Sequence, residues 1–406
     1  MEGKPDWLSG FPVQIYCNRG VIFSFIRDAR EDSRAGKGAV HMQQIVDFPG
    51  LGLHFSFNNV AFQIGNFSIY WYGIIIAAGF LLAVLYASYR CKKFGLDLDR
   101  LIDVVIIGLI GGVVCARLYY VVFSWDIYKD DLLSIFKTWE GGMGIYGGLI
   151  GAVIFGAIAC KIRGVKLLPT LDLVSLGFLI GQGIGRWGNF VNVEAFGCNT
   201  TLPWGMTSPT IENYLTQHLD QLTAQGMQID PAGMVHPCFL YESLWCILGF
   251  VLLHFYVKHR RFDGEIFLFY SMWYGAGRFV IEGLRTDSLM LGRIRISQLL
   301  AALFVLAALA IWIYTRYRLR KFGIDSQETL YVNTSESQYI LAHGYKAYKK
   351  LLKKADTDDT SIGIILSEEN SAAKDDNQEG EADESKEIVE EEKKQDKHEE
   401  EETDGE

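Results

Sequence analysis

The stretch "LPTLDLVSLGFLIGQGIGRWGNFVNVEAFG", residues 168–197, decides the fold of this chain. Its first part, 168–185, is almost entirely apolar and is about as long as one membrane crossing requires. The chain then places Arg186, Asn189, Asn192 and Glu194 within nine residues. Because charge at the edge of lipid is expensive, we expect these polar groups to be paired or functional.

The composition is typical of a membrane protein. Half of the 406 residues are hydrophobic, and the chain contains 42 Gly, 25 Phe and 20 Tyr. The net charge of −10 arises in residues 368–406, where nineteen acidic and five basic residues give −14 and leave +4 elsewhere. The acidity therefore belongs to the tail, and nothing in the sequence indicates nucleic-acid binding.

Cysteine spacing and soluble-enzyme motifs exclude several classes of protein. The seven cysteines form no CxxC pair and no metal-binding spacing, and a disulfide between Cys198 and Cys238 is left open. The sequence also lacks G-x-S-x-G, HExxH and a Walker loop. The sequence therefore does not show the motifs that would indicate a serine hydrolase, a zinc protease or an ATPase.

Seven apolar segments have roughly the length of a membrane crossing, so we predict an all-α polytopic membrane protein. The segments are 68–89, 101–123, 144–160, 168–185, 237–257, 266–284 and 296–315, within a seven-span domain covering 68–320.

The distribution of Lys and Arg predicts the orientation of these spans. The loops after spans 1, 3, 5 and 7 are rich in Lys and Arg, whereas the long segment 187–236 contains neither. Positively charged loops face the cytoplasm. We therefore predict an external N-terminus, a cytoplasmic C-terminus and a small extracytoplasmic head between spans 4 and 5.

The N-terminal flank divides at Met42. Residues 1–41 would have to be exported, yet they include the charged "FIRDAREDSR" and no preceding signal-peptide pattern. We expect that translation starts at Met42 or that residues 1–41 are disordered. Residues 42–67 are predicted to form an extracytoplasmic amphipathic arm.

The C-terminal flank has two parts. In the basic cytoplasmic segment 321–367, "YILAHGYKAYKKLLKK" (339–354) fits a helix on an anionic inner leaflet and, equally, a solvated helix. Residues 368–406 have the composition of a disordered acidic tail.

Polar residues gather at the predicted outer ends of several spans. Arg186 and Asn189 share a helix face if span 4 continues, and Tyr274, Arg278 and Glu282 form one stripe in span 6. Span 5 opens with "HPCFLYES" (236–243), and Tyr72 lies near the end of span 1. Two arginines open to the outer leaflet would suit a phospholipid headgroup, because the guanidinium fork binds phosphate in two places. Each pair alone fits an ordinary i,i+4 ion pair or snorkelling equally well.

The quoted residues resemble the prolipoprotein diacylglyceryl transferase family. "GRWGNFVNVEAFG" (185–197) is similar to the family signature G-R-x-G-N-F-x-N-x-E-x-x-G. The resemblance extends, in order, to the motifs "WYG" (71–73), "GGMGIYGGLIG" (141–151), "HPCFLYES" (236–243) and "YGAGRFVIEGLR" (274–285).

The resemblance implies a specific activity. A family member moves the diacylglyceryl group of phosphatidylglycerol to the lipobox cysteine of a prolipoprotein, forming a thioether and releasing glycerol phosphate. It implies a bacterial cytoplasmic-membrane enzyme with phosphatidylglycerol, prolipoproteins and the lipid bilayer as partners and no metal or cofactor. The site positions that it implies are Tyr72, Asn189, Glu194, Gly197, Tyr274 and Glu282, with the phosphodiester between Arg186 and Arg278.

One position departs from part of the family. Some members have histidine, a candidate general base, where this chain has Tyr146. A phenol with a pKa of about 10 is a poor base at neutral pH. We therefore expect Tyr146 to orient the headgroup, with a carboxylate, the lipid phosphate or water accepting the thiol proton.

Two other classes remain as alternatives. A small-solute transporter or channel would place polar residues near the bilayer centre, often with internal repeats, and neither feature is seen here. A scaffold would explain the acidic tail but not the arginines.

Overall fold

The computed structural model describes residues 43–357, apart from 66, 130, 139–140, 225, 287–289, 292–293 and 325–328. The predictions for residues 1–41 and for the acidic tail 368–406 fall outside this part of the chain. The chain divides into two compact units. The first comprises the described parts of Met1–Tyr89, Leu171–Arg260 and Gly264–Gly323, and the second those of Arg90–Thr170, Arg261–Asp263 and Ile324–Glu406.

Helices dominate both units. They are α1 Trp71–Arg90, α2 Leu98–Phe123, α3 Trp125–Tyr128, α4 Ile145–Arg163, α5 Leu167–Val191, α6 Pro209–Gln217, α7 Leu219–Ala224, α8 Cys238–Tyr256, α9 Glu265–Glu282, α10 Ile296–Phe322, α11 Ser335–His343 and α12 Tyr345–Thr357. The strands are β1 Gln43–Phe48, β2 Leu53–Asn58, β3 Val60–Ile64, β4 Phe67–Tyr70, β5 Met290–Leu291 and β6 Ile294–Arg295, paired antiparallel as β1–β2, β3–β4 and β5–β6.

Within the described residues, six helices are long and apolar enough to cross a membrane, namely α1, α2, α4, α5, α8 and α10. Their outer faces expose large apolar side chains, including Leu81 (57%) and Ile110 (59%). Such faces are unfavourable in water and favourable in lipid. The chain is therefore a polytopic membrane protein whose membrane part is helical.

The segment predicted as the sixth of seven crossings forms α9, which is less apolar than the other six helices. It has 18 residues and carries Glu265, Arg278 and Glu282. Three charged residues in so short a helix lower its mean hydropathy. The described part of the chain thus has six helices that qualify by length and composition, one fewer than the seven predicted crossings.

Residues 43–70 form two β-hairpins, β1–β2 and β3–β4, in the region predicted as an amphipathic arm. Asp47 of β1 exchanges two backbone hydrogen bonds with Thr207, which anchors the first hairpin to the segment between α5 and α8. That segment has its own core, in which Val46 and Phe48 of β1 are buried with Phe196 and Ile211. The first unit thus contains a small packed head, formed by the hairpin and the loop after α5.

Hydrogen bonds between helices fix α5 against its neighbours in the first unit. Asp172 of α5 is fully buried and accepts hydrogen bonds from the backbone N–H groups of Gly264 (2.8 Å) and Phe267 (2.9 Å) at the start of α9. These are the donors that a helix N-terminus leaves without an internal partner. Ser243 of α8 donates to the carbonyl of Gly183 in α5 (2.7 Å).

Two tryptophans join α8 and α9. The rings of Trp245 and Trp273 stack with centroids 4.2 Å apart and planes 12° apart. Each indole donates to the backbone carbonyl of the other residue at 2.9 Å. A Cβ at Gly249 or Gly277 would lie within 2.4 Å of these indoles, so only glycine leaves room for them. This arrangement, the Trp245–Trp273 pair, fixes the register of α8 and α9.

Glycines bring α2 and α4 into close contact in the second unit. A Cβ on Gly147 would lie 2.5 Å from the Cys115 carbonyl, and one on Gly151 would lie 2.7 Å from that of Gly111. Small residues at a helix interface allow such close approach inside a membrane. The glycine-rich "GGMGIYGGLIGA" (141–152) therefore has a packing role.

Arg117 of α2 organises the loop that precedes α4. Its Nε donates to the carbonyl of Ile135 (2.7 Å), and its two Nη atoms donate to four further carbonyls, those of Ser134, Lys137, Gly141 and Gly142. These bonds use all five N–H donors of a guanidinium. The side chain is buried, so the loop is built around it.

The C-terminal basic segment forms two helices, α11 and α12, separated at Gly344 (φ 81°). The apolar residues of both helices pack on one another, with Tyr339 and Ile340 of α11 against Tyr348 and Leu351 of α12. The apolar face of "YILAHGYKAYKKLLKK" is therefore buried within the protein.

Candidate active site

The site begins where α5 ends, in a tight turn around Glu194. The N–H of Glu194 donates to the carbonyl of Asn189 (2.8 Å), and that of Val193 donates to Phe190 (3.0 Å). These bonds form the Schellman motif, in which glycine usually occupies the left-handed position. Here Val193 occupies it with a φ of 55°, and Ala195 also has a positive φ of 56°.

Left-handed backbone on either side of Glu194 indicates local strain. A β-branched residue in this region is unusual, and each such residue costs of order 1–2 kcal/mol. Val193 and Ala195 are both buried, and Val193 belongs to the core of the head. Packing therefore holds Glu194 in a position that its neighbours do not favour by themselves.

Three arginines converge on the carboxylate of Glu242. Arg186 of α5 pairs with its Oε2, Arg278 of α9 pairs with its Oε1 (2.6 Å), and Arg285 lies 3.7 Å from Oε1. Arg278 also pairs with Glu282 one turn along α9. The carboxylates are almost fully buried, with 4% of the Glu242 side chain exposed, whereas Arg186 (20%) and Arg278 (22%) remain accessible.

This arginine cluster consists of Arg186, Arg278 and Arg285 with Glu242 and Glu282. Buried charges require partners, and the two glutamates provide them. The accessible guanidinium groups of Arg186 and Arg278 favour an anion.

Asn189 connects this cluster to Glu194. Its amide oxygen accepts from Arg186 Nη1 (3.4 Å), and its amide nitrogen donates to Glu194 Oε2 (3.4 Å). Asn192 donates to the other oxygen, Oε1 (3.3 Å). Arg186 and Asn189 thus share one face of α5, which continues to Val191.

Tyr72 and Tyr274, two of the three predicted site tyrosines, lie in the first unit. A Cβ on Gly188 would lie 2.8 Å from the Tyr72 ring, so the glycine provides the space that the ring occupies. Tyr274 lines a small, partly open cavity together with Glu242, Trp245, Cys246, Gly277, Arg278 and Ile281. Arg278 therefore forms a charged wall of a cavity that also has apolar walls.

Gly197 holds the loop after Glu194 in place. Its N–H donates to the carbonyl of His236 (2.8 Å), and the N–H of Cys198 donates to that of Leu284 (2.7 Å). A Cβ on Gly197 would lie 2.8 Å from Cys238 Sγ and 2.9 Å from the Leu284 carbonyl. Cys198 and Cys238 are not joined by a disulfide in this part of the chain.

His236 lies at the edge of the site, where its Nδ1 is 3.1 Å from the hydroxyl of Tyr241. The same hydroxyl accepts a hydrogen bond from Trp204 Nε1 (2.8 Å). Burial lowers the pKa of the His236 imidazole from its ordinary value, which favours the neutral form.

Tyr146 is the second residue of α4 and belongs to the second compact unit. It follows the loop that Arg117 organises, and its side chain is exposed. Its role in orienting a headgroup stays a prediction.

The sequence did not reveal the central position of Glu242 or the part played by Arg285. Glu242 was visible as an acidic residue in an apolar segment, but no local pattern indicated that three arginines would meet it. Asn192 was also given no role, although it binds Glu194. The signal that could have identified Glu242 is a glutamate early in a membrane helix, which must be paired.

The fold and the site together define a polytopic membrane protein with an accessible arginine cluster suited to an anionic group. A family model described as prolipoprotein diacylglyceryl transferase matches residues 59–314. The chain belongs to this family.

Relatives named phosphatidylglycerol–prolipoprotein diacylglyceryl transferase are similar over most of their length. The protein from Limosilactobacillus reuteri (strain DSM 20016) is 43% identical over 270 residues, covering 66% of this chain and 94% of the relative. That from Staphylococcus haemolyticus is 44% identical over 259 residues (64% and 88%). That from Listeria innocua is 42% identical over 260 residues (64% and 90%). The predicted family and enzyme class are confirmed.

Proposed function

We propose that this protein transfers the diacylglyceryl group of phosphatidylglycerol to the lipobox cysteine of prolipoproteins. Family membership supports the reaction type, since the similar relatives are named for these substrates. The observation that carries the proposal is the convergence of Arg186 and Arg278, from separate helices, on one carboxylate.

The reaction exchanges one bond to carbon for another. The cysteine sulfur attacks the glyceryl carbon that bears the phosphate, the carbon–oxygen bond breaks, and glycerol phosphate leaves with the bonding electrons. Negative charge grows on the phosphate oxygens as this bond breaks. Guanidinium groups already fixed in place stabilise that charge without reorganisation.

Glu242 holds Arg186 and Arg278 in position to bind the phosphate. Its two oxygens each hold one guanidinium, Arg186 on Oε2 and Arg278 on Oε1. Each guanidinium has five N–H donors, so both retain donors for a phosphodiester. We infer that the lipid phosphate binds on the accessible side of the two arginines, with Asn189 and Tyr274 nearby.

The thiol must lose its proton to attack, because thiolate is the reactive form. Glu194 is the carboxylate that the strained turn fixes beside Asn189, and Glu282 is the carboxylate paired with Arg278. Of these two, we propose Glu194 as the acceptor because the amide groups of Asn189 and Asn192 hold its two oxygens in the turn. Tyr146 is proposed to orient the headgroup. Tyr146→Phe is expected to weaken lipid binding, and loss of turnover with unchanged binding would contradict that role.

We further propose the topology and location that this chemistry needs. In this arrangement α9 is the sixth of seven crossings, and its charged stripe is tolerated because Arg278 and Glu282 belong to the arginine cluster instead of facing lipid. The N-terminus and the head lie outside, the C-terminus lies in the cytoplasm, and the protein resides in the bacterial cytoplasmic membrane. The outer leaflet would then supply the phosphatidylglycerol.

Arg278→Lys tests the proposal most directly. Lysine keeps the charge but cannot make the two-pronged contact with phosphate. We expect a fall of about 100-fold or more in the rate at which the reconstituted protein adds diacylglyceryl to a lipobox peptide. Mass spectrometry of the peptide cysteine measures this rate, and full lipidation by the variant would overturn the proposal.

Arg316→Lys is a matched control. Arg316 of α10 pairs with the buried Glu265 (3.3 Å), so this substitution also weakens an arginine–glutamate pair in the first unit. We expect its effect on lipidation, per folded protein, to be small. Equal losses in both variants would indicate general destabilisation instead of a role in phosphate binding.

A further inference from the structure

The chain continues beyond the part that matches the family, and this continuation is folded. The family match ends at residue 314, whereas the C-terminal segment 329–357 forms α11 and α12 with a shared apolar core. The transferase chemistry derived above uses none of these residues.

The segment is attached at the ends of membrane helices within the second unit. Tyr345, the first residue of α12, lies under the guanidinium of Arg100 (4.2 Å to the ring centre) at the start of α2. Arg100 also donates to the carbonyl of Gly164 (3.0 Å), just after α4 ends. A Cβ on Gly164 would lie 2.4 Å from the Tyr345 hydroxyl. The start of α12 therefore lies against the beginning of α2 and the end of α4.

Three further contacts attach α11 and the turn before it. The buried Ser337 donates to the carbonyl of Gly95 (3.1 Å), and Glu336 pairs with Lys166 (3.1 Å) just before α5. The N–H of Tyr331 donates to Asp263 (2.7 Å) in the turn before α9. The segment thus contacts several loops that connect membrane helices, and these are the loops rich in Lys and Arg.

Over residues 345–355, the outward face of α12 is rich in lysine. The buried or partly buried residues Tyr345, Tyr348, Leu351, Leu352 and Ala355 form one side of the helix. The exposed side carries five lysines, namely Lys346, Lys349, Lys350, Lys353 and Lys354, and residues 345–355 include no acidic residue. The other four lysines follow Lys346 by three, four, seven and eight residues. Residues at these intervals lie on one side of a helix, so the five lysines form one stripe about 12 Å long.

We propose that this lysine stripe binds the anionic lipid headgroups of the leaflet next to α12. A folded helix held at the boundary of two membrane helices lies where a negatively charged surface attracts lysines. Because its apolar side is already buried against α11, the helix contacts lipid by charge and does not insert. Binding then depends on the charge of the headgroup, not on its identity, and it is independent of the transfer reaction.

The test uses full-length protein in nanodiscs of phosphatidylcholine with or without phosphatidylserine, a charged lipid outside the proposed transferase reaction. Lysine acylation followed by mass spectrometry reports the accessibility of each lysine. We expect acylation of the five lysines to slow several-fold when phosphatidylserine is present and to recover at high salt. Rates that do not depend on the lipid would overturn the proposal.

A matched pair of variants separates charge from folding. Replacing the five lysines by glutamine is expected to abolish the excess of phosphatidylserine retained around the protein, and replacing them by arginine is expected to preserve it. Hydrogen exchange of α11 checks that both variants keep the segment folded. Equal retention by the two variants would overturn the proposal.

By charge alone, the acidic residues 368–406 are the other candidate to bind the stripe. A chain ending at Ser367 removes them. If the stripe binds lipid, the phosphatidylserine effect persists unchanged in this chain. If the effect is seen only after the truncation, the tail occupies the stripe and the lipid proposal is wrong.

Discussion

Arginines in two regions of this protein have opposite kinds of partner. Arg117 in α2 directs all five of its N–H donors at backbone carbonyls. Arg186 and Arg278 instead share the carboxylate of Glu242 and keep part of their surface accessible. All the N–H donors of Arg117 are used to stabilise the fold, whereas Arg186 and Arg278 retain donors that a ligand can use.

The difference shows that a charged residue in a membrane helix is not by itself evidence of a site. Both kinds of arginine satisfy the requirement that a charge near lipid be paired. What distinguishes a binding arginine is an accessible guanidinium with spare donors. Substitutions in the two regions should therefore affect different measured quantities.

Glu242→Gln should have the largest effect. Removing the shared carboxylate takes the buried carboxylate partner away from Arg186 and leaves Arg278 paired with Glu282 alone, a change that costs about 3–5 kcal/mol in comparable pairs. We expect lipidation of a lipobox peptide to fall by at least about 100-fold, together with a lower unfolding temperature.

The control for this variant is Glu265→Gln, which removes another fully buried carboxylate, one that pairs with Arg316. It should lower the unfolding temperature but leave activity per folded protein nearly unchanged. Normal lipidation by Glu242→Gln would remove the distinction between the two regions.

Arg117→Lys should act on stability more than on chemistry. Lysine has three N–H donors instead of five, so at least two carbonyls lose their partner, at a cost of about 1–3 kcal/mol. Thermal unfolding measures this cost, and we expect the KM for phosphatidylglycerol to remain unchanged.

Arg163→Lys, at an exposed ion pair with Asp103, is the control and should change stability by less than about 1 kcal/mol. A raised KM in Arg117→Lys alone would show that its loop belongs to the lipid site.

The Trp245–Trp273 pair should contribute a smaller, coupled effect. Phenylalanine at either position removes one of the reciprocal hydrogen bonds and part of the stacking, about 1–2 kcal/mol for each change. A double-mutant cycle by thermal unfolding should show a coupling energy of about 1 kcal/mol. Strict additivity would mean that the two tryptophans do not fix the α8–α9 register together.

Ala195→Gly should have the smallest effect on stability. Glycine adopts the left-handed backbone at Ala195 without strain, which offsets the loss of a buried methyl group. We expect the unfolding temperature to change little, while the turn around Glu194 becomes looser and lipidation slows. Ala308→Gly, in the right-handed interior of α10, should destabilise by about 1 kcal/mol without slowing lipidation. If Ala195→Gly and Ala308→Gly lowered the unfolding temperature equally, strain at Ala195 would be excluded.

Much of the molecule could be predicted from local patterns. Apolar segments predicted the membrane helices, and the motif at 185–197 predicted the family. The sixth predicted crossing was harder to assess, because Glu265, Arg278 and Glu282 give α9 a composition between those of a membrane helix and a soluble one. Residues 339–354 were predicted as one basic helix, but Gly344 divides them between two helices and their apolar side packs internally.

The sequence by itself determined the membrane character, the order of the apolar segments and the residue types that could bind a phosphate. These properties depend on hydrophobicity and spacing along one helix, which are local. Only the tertiary structure decided that Glu242 would hold two arginines, that Arg117 would bind carbonyls, and that Val193 would accept a left-handed backbone. Those outcomes depend on which helices pack together and in what register, and no single segment contains that information.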